Sequence, residues 1–302
     1  MTRSGVFGYP PPDLVEADAG ALQLSPLNPG GEALEAVEPG SLERLVMLAP
    51  PGTLERRYAL ALGLRALAPG GALTALAPKV KGGSRLRQEL QSFGTEVAES
   101  AKAHHRICVV AVPPSLSEID AAVTAGAPRI HAPLGLWTQP GVFSWDRIDP
   151  GSALLMANLP AMKGEGVDFG CGVGVLAHAV LASLAVTALT LIDIDRRAVD
   201  CAKRNVDDPR ASLVWADARN ETAAPAGLDF VVMNPPFHDG GAEDRALGQA
   251  FVRRAAASLR KGGVCWMVAN RHLPYEAALN EAFTRYALRA ESGGYKVFEA
   301  VR

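Results

Sequence analysis

Gly166-Val167-Asp168-Phe169-Gly170-Cys171-Gly172-Val173-Gly174 is the stretch whose reading decides the fold of this chain. A short apolar strand breaks there into a glycine loop, and Val175 to Leu184 continues with helical composition. Strand, glycine loop and helix in that order make a nucleotide-binding unit, because glycines let the backbone come close to a ligand. Position 175, where a dinucleotide fingerprint requires its third glycine, is valine, so a pyrophosphate cradle is disfavoured. Asp168 agrees with that exclusion, since a carboxylate at the strand end repels phosphate yet can pair with an ammonium group.

The strands that follow supply further acids. Leu189-Thr190-Leu191-Ile192 ends at Asp193, 23 positions beyond Gly170, where an acid is expected to reach a ribose diol. Asp195 is a weaker candidate for the same task. A third strand, Ser212 to Trp215, leads to Asp217, which can accept from an adenine amino group. Each signal is weak alone, because a lone strand-end Asp is often only a helix cap. In order, Asp168, Gly170, Cys171, Gly172, Gly174, Asp193 and Asp217 fit S-adenosylmethionine (SAM), with Cys171 at a loop position where a small side chain suffices.

A second motif bears on what reacts. The buried-strand pattern Phe230-Val231-Val232-Met233 runs into Asn234-Pro235-Pro236-Phe237, and strand ends are where an open α/β sheet places its chemistry. Two consecutive prolines fix two φ angles and remove two N–H donors, which leaves the carbonyls of Asn234 and Pro235 free to accept from another molecule. A carboxamide oxygen and a backbone carbonyl can each take one N–H of an exocyclic amine, while the Phe237 ring lies against the flat base that carries it. The plainer alternative for this motif is a proline-rich turn after a strand.

With these residues in view, the run from Val167 to Arg302 resembles the class I SAM-dependent methyltransferases, and Asn-Pro-Pro-Phe resembles the subgroup that methylates exocyclic or amide nitrogens. Pro140-Gly141-Val142-Phe143-Ser144, then Ile148-Asp149-Pro150-Gly151-Ser152, the run Asn234 to Gly240, and Val268-Ala269-Asn270 with Leu273-Pro274-Tyr275 are similar to the bacterial small-subunit (16S) rRNA guanine-N2 methyltransferases. The resemblance implies that Asp168, Gly170, Gly172, Gly174, Asp193 and Asp217 line the cofactor site and that Asn234 to Phe237 form the catalytic one. It implies SAM as cofactor and ribosomal RNA or the small ribosomal subunit as partner. The competing readings are a nitrogen methyltransferase acting on adenine N6 or a protein glutamine, and a non-catalytic SAM-binding or RNA-binding module.

The first half of the chain repeats the second. Residues 44–51, RLVMLAPP, align with 229–236, DFVVMNPP, and Leu67 to Ala72 align with Leu259 to Val264 around a Gly-Gly turn. Val109 to Val112 stands beside Phe298 to Val301 as a closing strand. In this alignment Ala49 takes the place of Asn234, and no glycine loop or ribose acid is expected upstream of it. The expectation is a duplicated, Rossmann-like α/β fold with a mostly parallel twisted sheet. Residues 1–135 would be a truncated, non-catalytic copy for substrate binding or folding, and 136–302 the catalytic domain. Two unrelated α/β units sharing Gly-Gly turns would give a similar pattern.

Composition fits a globular protein, with 302 residues, 48% hydrophobic and 21% charged, long enough for two domains with cores of their own. The longest apolar stretch, Val175 to Ile192, contains His178, Ser183, Thr187 and Thr190 and divides into a helix and a strand, so it is not expected to span a membrane. Met1 to Gly8 lacks an apolar signal core, and Cys108, Cys171, Cys201 and Cys265 show no metal or redox spacing. A cytoplasmic protein without zinc or iron is expected. A net charge of −2 argues against indiscriminate nucleic-acid binding. Basic residues nevertheless cluster at Lys79, Lys81, Arg85, Arg87 and Arg106, and again between Arg245 and Arg271. These could track phosphates, or be solvated helix faces.

The pattern predicts strands near 44–49, 72–77 and 107–112 and helices near 54–67 and 84–92 in the first half. In the second half it predicts strands near 166–169, 189–193, 212–215, 229–233, 263–269 and 295–301, alternating with helices near 175–184, 196–206, 244–260 and 275–284. Asp149-Pro150 reads as an N-cap and first-turn proline opening a helix that stops at Pro160. The segment 126–151 holds Trp137 and Trp145 and is expected to be ordered.

Overall fold

The structure, a computed structural model, describes residues 3–236, 238–239, 242–243 and 245–302. The chain divides into two compact units, Met1–Pro128 with Gln139–Gly141, and Arg129–Thr138 with Val142–Arg302. The division falls a few residues before 135, and the hairpin of Arg129 to Thr138 goes with the second unit.

The first unit is built from β1 (Ser4–Phe7), β2 (Leu22–Gln23), β3 (Leu42–Leu48), α1 (Thr53–Ala66), β4 (Leu67–Pro78), α2 (Ser84–Ser92), β5 (Ala98–Lys102), β6 (His105–Ala111) and α3 (Ile119–Gly126). Its sheet has the order β2-β1-β3-β4-β6-β5. β1 to β4 pair in parallel, and β6 runs antiparallel to both of its neighbours.

In the second unit β7 (Arg129–His131) and β8 (Leu136–Thr138) form a hairpin, followed by α4 (Pro150–Asn158), β9 (Gly164–Phe169), α5 (Val175–Leu181), β10 (Val186–Asp193), α6 (Arg196–Asn205), β11 (Ala211–Trp215) and β12 (Leu228–Met233). A short ribbon, β13 (His238–Asp239) and β14 (Ala242–Glu243), precedes α7 (Arg245–Ser258), β15 (Leu259–Asn270), α8 (Glu276–Ala282), β16 (Arg285–Ser292) and β17 (Tyr295–Val301). The main sheet has the order β11-β10-β9-β12-β15-β17-β16. Here too the strand before the last in this order is the antiparallel one. Without β11, this is the order of the first unit.

The sheet registers align the two copies residue by residue. Phe7 faces Met47 and Phe169 faces Met233 across equivalent strand pairs, so Gly8 corresponds to Gly170, and both take positive φ, +78° and +75°. One glycine of the loop thus has a counterpart in the first copy, where Tyr9 and Pro10 follow in place of Cys171 and Gly172. By the same registers Ser25 stands where the second copy has Asp193. Met47 pairs with Ala75 as Met233 pairs with Met267, which places Leu48, not Ala49, opposite Asn234. Matching the double prolines shifts the alignment by one residue.

Burial separates the copies more sharply. Alternate residues of a strand face opposite sides of its sheet. In the second unit Val231 and Met233 pack with α7 and α8, while Phe230 and Val232 pack with α4, α5 and the end of α6. The first unit keeps one covered face, where Leu45, Met47, Leu73 and Ala75 meet α1, α2 and α3. On its other face the apolar residues that Val46, Leu76 and Ile107 meet, among the described residues, are Leu14, Val15, Ala17 and Leu48. Among the described residues α4, α5, α6 and β11 have no counterparts in the first unit, and a loop segment lies on that face.

One buried group marks the first copy's double proline. Arg56 of α1 is 1% exposed and donates from Nη1 to the carbonyls of Pro50 and Pro51, at 3.1 and 2.7 Å. Its Nε and Nη2 donate to both Glu89 oxygens, at 2.6 and 2.7 Å. Since α1 and α7 end directly at Leu67 and Leu259, Arg56 corresponds to Gly248, and Gly83 to Tyr275. The bulk is exchanged between copies: a Cβ on Gly248 would lie 2.0 Å from the Tyr275 hydroxyl.

Candidate active site

Gly170, Cys171, Gly172 and Asn234 line one solvent-open pocket of the second unit, together with Phe143, Asp149 and Ser152. Strand pairing explains the convergence. β9 and β12 are neighbours in parallel register, Phe169 beside Met233, so the glycine loop and the Asn-Pro-Pro turn leave the sheet side by side.

The loop turns tightly because the N–H groups of Gly170 and Cys171 both donate to the Ile192 carbonyl. Around Gly172 a Cβ would meet nothing within 4 Å, which leaves room for a ligand against the backbone. Gly174 has a different reason. It opens α5 in the left-handed region, and a Cβ there would come within 2.8 Å of Val206, so it serves close helix packing and lies outside the pocket lining.

Three of the acids differ in environment. Asp168 is wholly buried, and neither carboxyl oxygen has a partner among the described residues. Burial, with a smaller push from Asp193, raises its pKa to about 8. Asp193 accepts from Gly172 N and from Asp195 N, both at 2.8 Å. Burial raises its pKa to about 6 against the lowering effect of those N–H groups. Asp217 holds Arg219 through both oxygens and is partly exposed, and that hydrogen-bonded partner lowers its pKa. An adenine amino group would have to share it. Asp195, the weaker ribose candidate, caps α6 and forms a buried ion pair with Arg197 at 2.8 Å. Its Oδ1 accepts from Arg197 N and Nε and its Oδ2 from Arg197 Nη2, so both oxygens are engaged.

Asn234 is half-buried, and its Nδ2 donates to Asp149 Oδ2 and to Ser152 Oγ, both at 2.9 Å. Pro235 is buried and Pro236 exposed. Phe237, expected as the stacking ring, lies outside the described residues. From sequence Asp149 reads as an N-cap within a run that carries the family resemblance, and it is that cap, accepting from Ser152 N at 2.8 Å. Its contact with Asn234 bridges 85 positions, and no local pattern signals that. The Trp137 of the preceding hairpin is ordered against α6, where Asn205 bonds its backbone N–H and carbonyl and Arg204 lies over its ring at 4.4 Å.

Among the described residues no group of His, Cys, Asp and Glu is placed to hold a metal ion, and no helix is long and apolar enough to cross a membrane. Residues 133–299 match the family model described as "Methyltransferase small domain". The chain belongs to this methyltransferase family. Within it, the "Ribosomal RNA small subunit methyltransferase C" of Shewanella halifaxensis is 31% identical over 274 residues, 87% of this chain and 78% of the relative. The protein of the same name from Pseudomonas paraeruginosa is 32% identical over 287 residues, 93% of this chain and 86% of the relative. A solved structure described as the T. thermophilus 16S rRNA N2 G1207 methyltransferase in complex with AdoMet and guanosine shares the fold, with a TM-score of 0.79 and 24% identity over 100% of this chain and 88% of that one. The family match and the class I methyltransferase fold both fall on the second unit.

Proposed function

We propose that this protein transfers a methyl group from SAM to the exocyclic N2 amine of a guanosine in small-subunit ribosomal RNA. The observation that carries the reading is the Asn234 carboxamide. Both hydrogens of its Nδ2 are held by Asp149 and Ser152, so its oxygen is left as an acceptor at the pocket that the glycine loop also lines. An acceptor beside a cofactor loop suits a substrate N–H. The names of the relatives supply the nucleic acid, and the resemblance of Asn234 to Phe237 to amine-methylating enzymes supplies the atom.

The residues fit the cofactor. Asp168 offers a buried carboxyl group, without a partner among the described residues, suited to an ammonium group, Gly172 offers open backbone, and Asp193 tethers that backbone while keeping lone pairs for ribose hydroxyls. SAM, when bound, supplies an electrophilic methyl group on its sulfonium. The protein's part is to hold the amine: Asn234 Oδ1 and the Pro235 carbonyl accept its two protons. The nitrogen lone pair, freed from the ring as the amine pyramidalises, is then turned toward the methyl carbon. No strong base is needed, because the amine becomes acidic once methylated. Phe237 is the ring assigned to stack the base.

The first unit is proposed as a non-catalytic copy that aids substrate binding or folding. Leu48 stands in the place of Asn234 and Ser25 in the place of Asp193, and Arg56 occupies the double-proline carbonyls of this copy.

Nucleoside mass mapping of small-subunit rRNA from a strain lacking the protein tests the reading. It should reveal one guanosine that has lost its N2-methyl group and that the purified enzyme restores. Loss of N6-methyladenosine or of methylated glutamine instead would overturn the choice of substrate. The Asn234→Ala enzyme should keep SAM affinity and lose turnover, since its contact strengthens as the transition state forms.

A further inference from the structure

We infer that Asp149 is a positioning residue for the methyl transfer, fixing the Asn234 carboxamide with its oxygen toward the substrate and adding negative charge to that acceptor. The inference rests on the proposed role of Asn234 and extends it to a residue of another element.

The two ends of a carboxamide look alike in shape, so its direction must come from its partners. Asp149 Oδ2, 2.9 Å from the amide nitrogen, is a carboxylate oxygen and can only accept. Were the amide turned over, two oxygens would face each other at that distance with no hydrogen between them. Ser152 Oγ takes the second N–H at 2.9 Å. Together they leave Asn234 Oδ1 as the end that meets the pocket, with no rotation available that preserves the bonds.

Asp149 is itself held. Its Oδ2 also accepts from Ser152 N at 2.8 Å as the cap of α4, and Pro150 sets the first turn of that helix. Gly151 lies against the Tyr295 ring, where a Cβ would come within 2.8 Å. The start of α4 is thus seated on β17, and the carboxylate has one place to be. A charged acceptor on an amide N–H makes a stronger bond than a neutral one and polarises the amide, so more negative charge resides on Oδ1. That favours a substrate nitrogen whose positive charge grows in the transition state.

The test exchanges the partners and reads kcat, substrate KM and SAM affinity. Asp149→Asn keeps a cap and an acceptor but removes the charge, so kcat should fall about tenfold while KM and SAM affinity stay within about threefold. Asn234→Asp sets two carboxylates against each other and should lower kcat by about a hundredfold or more. Combining Asp149→Asn with Asn234→Asp removes one of the two opposed charges while the amide oxygen at 149 keeps the cap, and should recover at least about tenfold over Asn234→Asp alone. A purely structural cap would show no such recovery. Asp149→Asn turning over like the wild type, or a double variant no faster than Asn234→Asp, overturns the inference. Full activity of Asn234→Ala would instead sink the amine-acceptor reading beneath it.

Discussion

Replacing Asp168 with Asn should stabilise the SAM-free protein, and by more as pH rises. The carboxyl is wholly buried without a hydrogen-bond partner among the described residues, and burial raises its pKa from an ordinary 3.8 to about 8. Because the folded value lies above the unfolded one, the folded protein holds the extra proton. The associated stability is complete below the unfolded value and is lost as pH climbs through the folded one. Between pH 5 and pH 8 the wild type should lose about 3–4 kcal/mol that the isosteric amide does not lose. For a unit of this size that is a change of about 10 °C in the melting-temperature difference between variant and wild type. Thermal melting of both proteins at pH 5, 6.5 and 8, at one ionic strength and without SAM, reads it directly. All other titrating groups are common to the pair and cancel. A difference that stays constant across the range would mean that the folded protein accommodates the charge, and the account of Asp168 as a buried acid awaiting a cation would be wrong. The stabilised variant should also bind SAM about tenfold or more weakly, since the charge-assisted partner of the ammonium is gone.

Asp193→Ala should weaken SAM binding about tenfold or more, through loss of a charged acceptor worth about 1.5–3 kcal/mol. Calorimetry decides it, and unchanged affinity there with a loss in Asp195→Ala would move the ribose contact to the other acid. Arg56→Ala should destabilise the first unit by about 3–5 kcal/mol, because Glu89 is left buried and unpaired. A paired Arg56→Met, Glu89→Leu replacement should cost much less, and equal losses in urea denaturation for the two proteins would show that the ion pair is not what matters there.

The parts of this molecule that are legible in the sequence are those in which local pattern and burial coincide. β9, β10, β12 and β15 are apolar because they lie inside a sheet covered on both faces, so their bounds and parallel order can be expected from composition. β16 and β5 leave no such signal for the opposite reason. As outer strands they are mostly exposed, and an edge strand needs no apolar run to hold its place. β1 and β2, with four and two residues, are too short to carry a period. The double proline reveals the repeat, yet its attraction displaces the alignment by one, and only ladder registers can correct that. The site divides the same way. Asn234 and the glycine loop are legible because each is a motif on its own strand end, and adjacent parallel strands bring such ends together as a matter of topology. Asp149 reaches the same site by a helix start from a distant part of the chain. Its cap signature is legible, but a cap uses only some of a carboxylate's lone pairs, and what takes the remaining ones is a property of the packing. The acceptor direction of Asn234 belongs to that same category. Motif recognition can name the amide, whereas the groups around it decide which end meets the substrate.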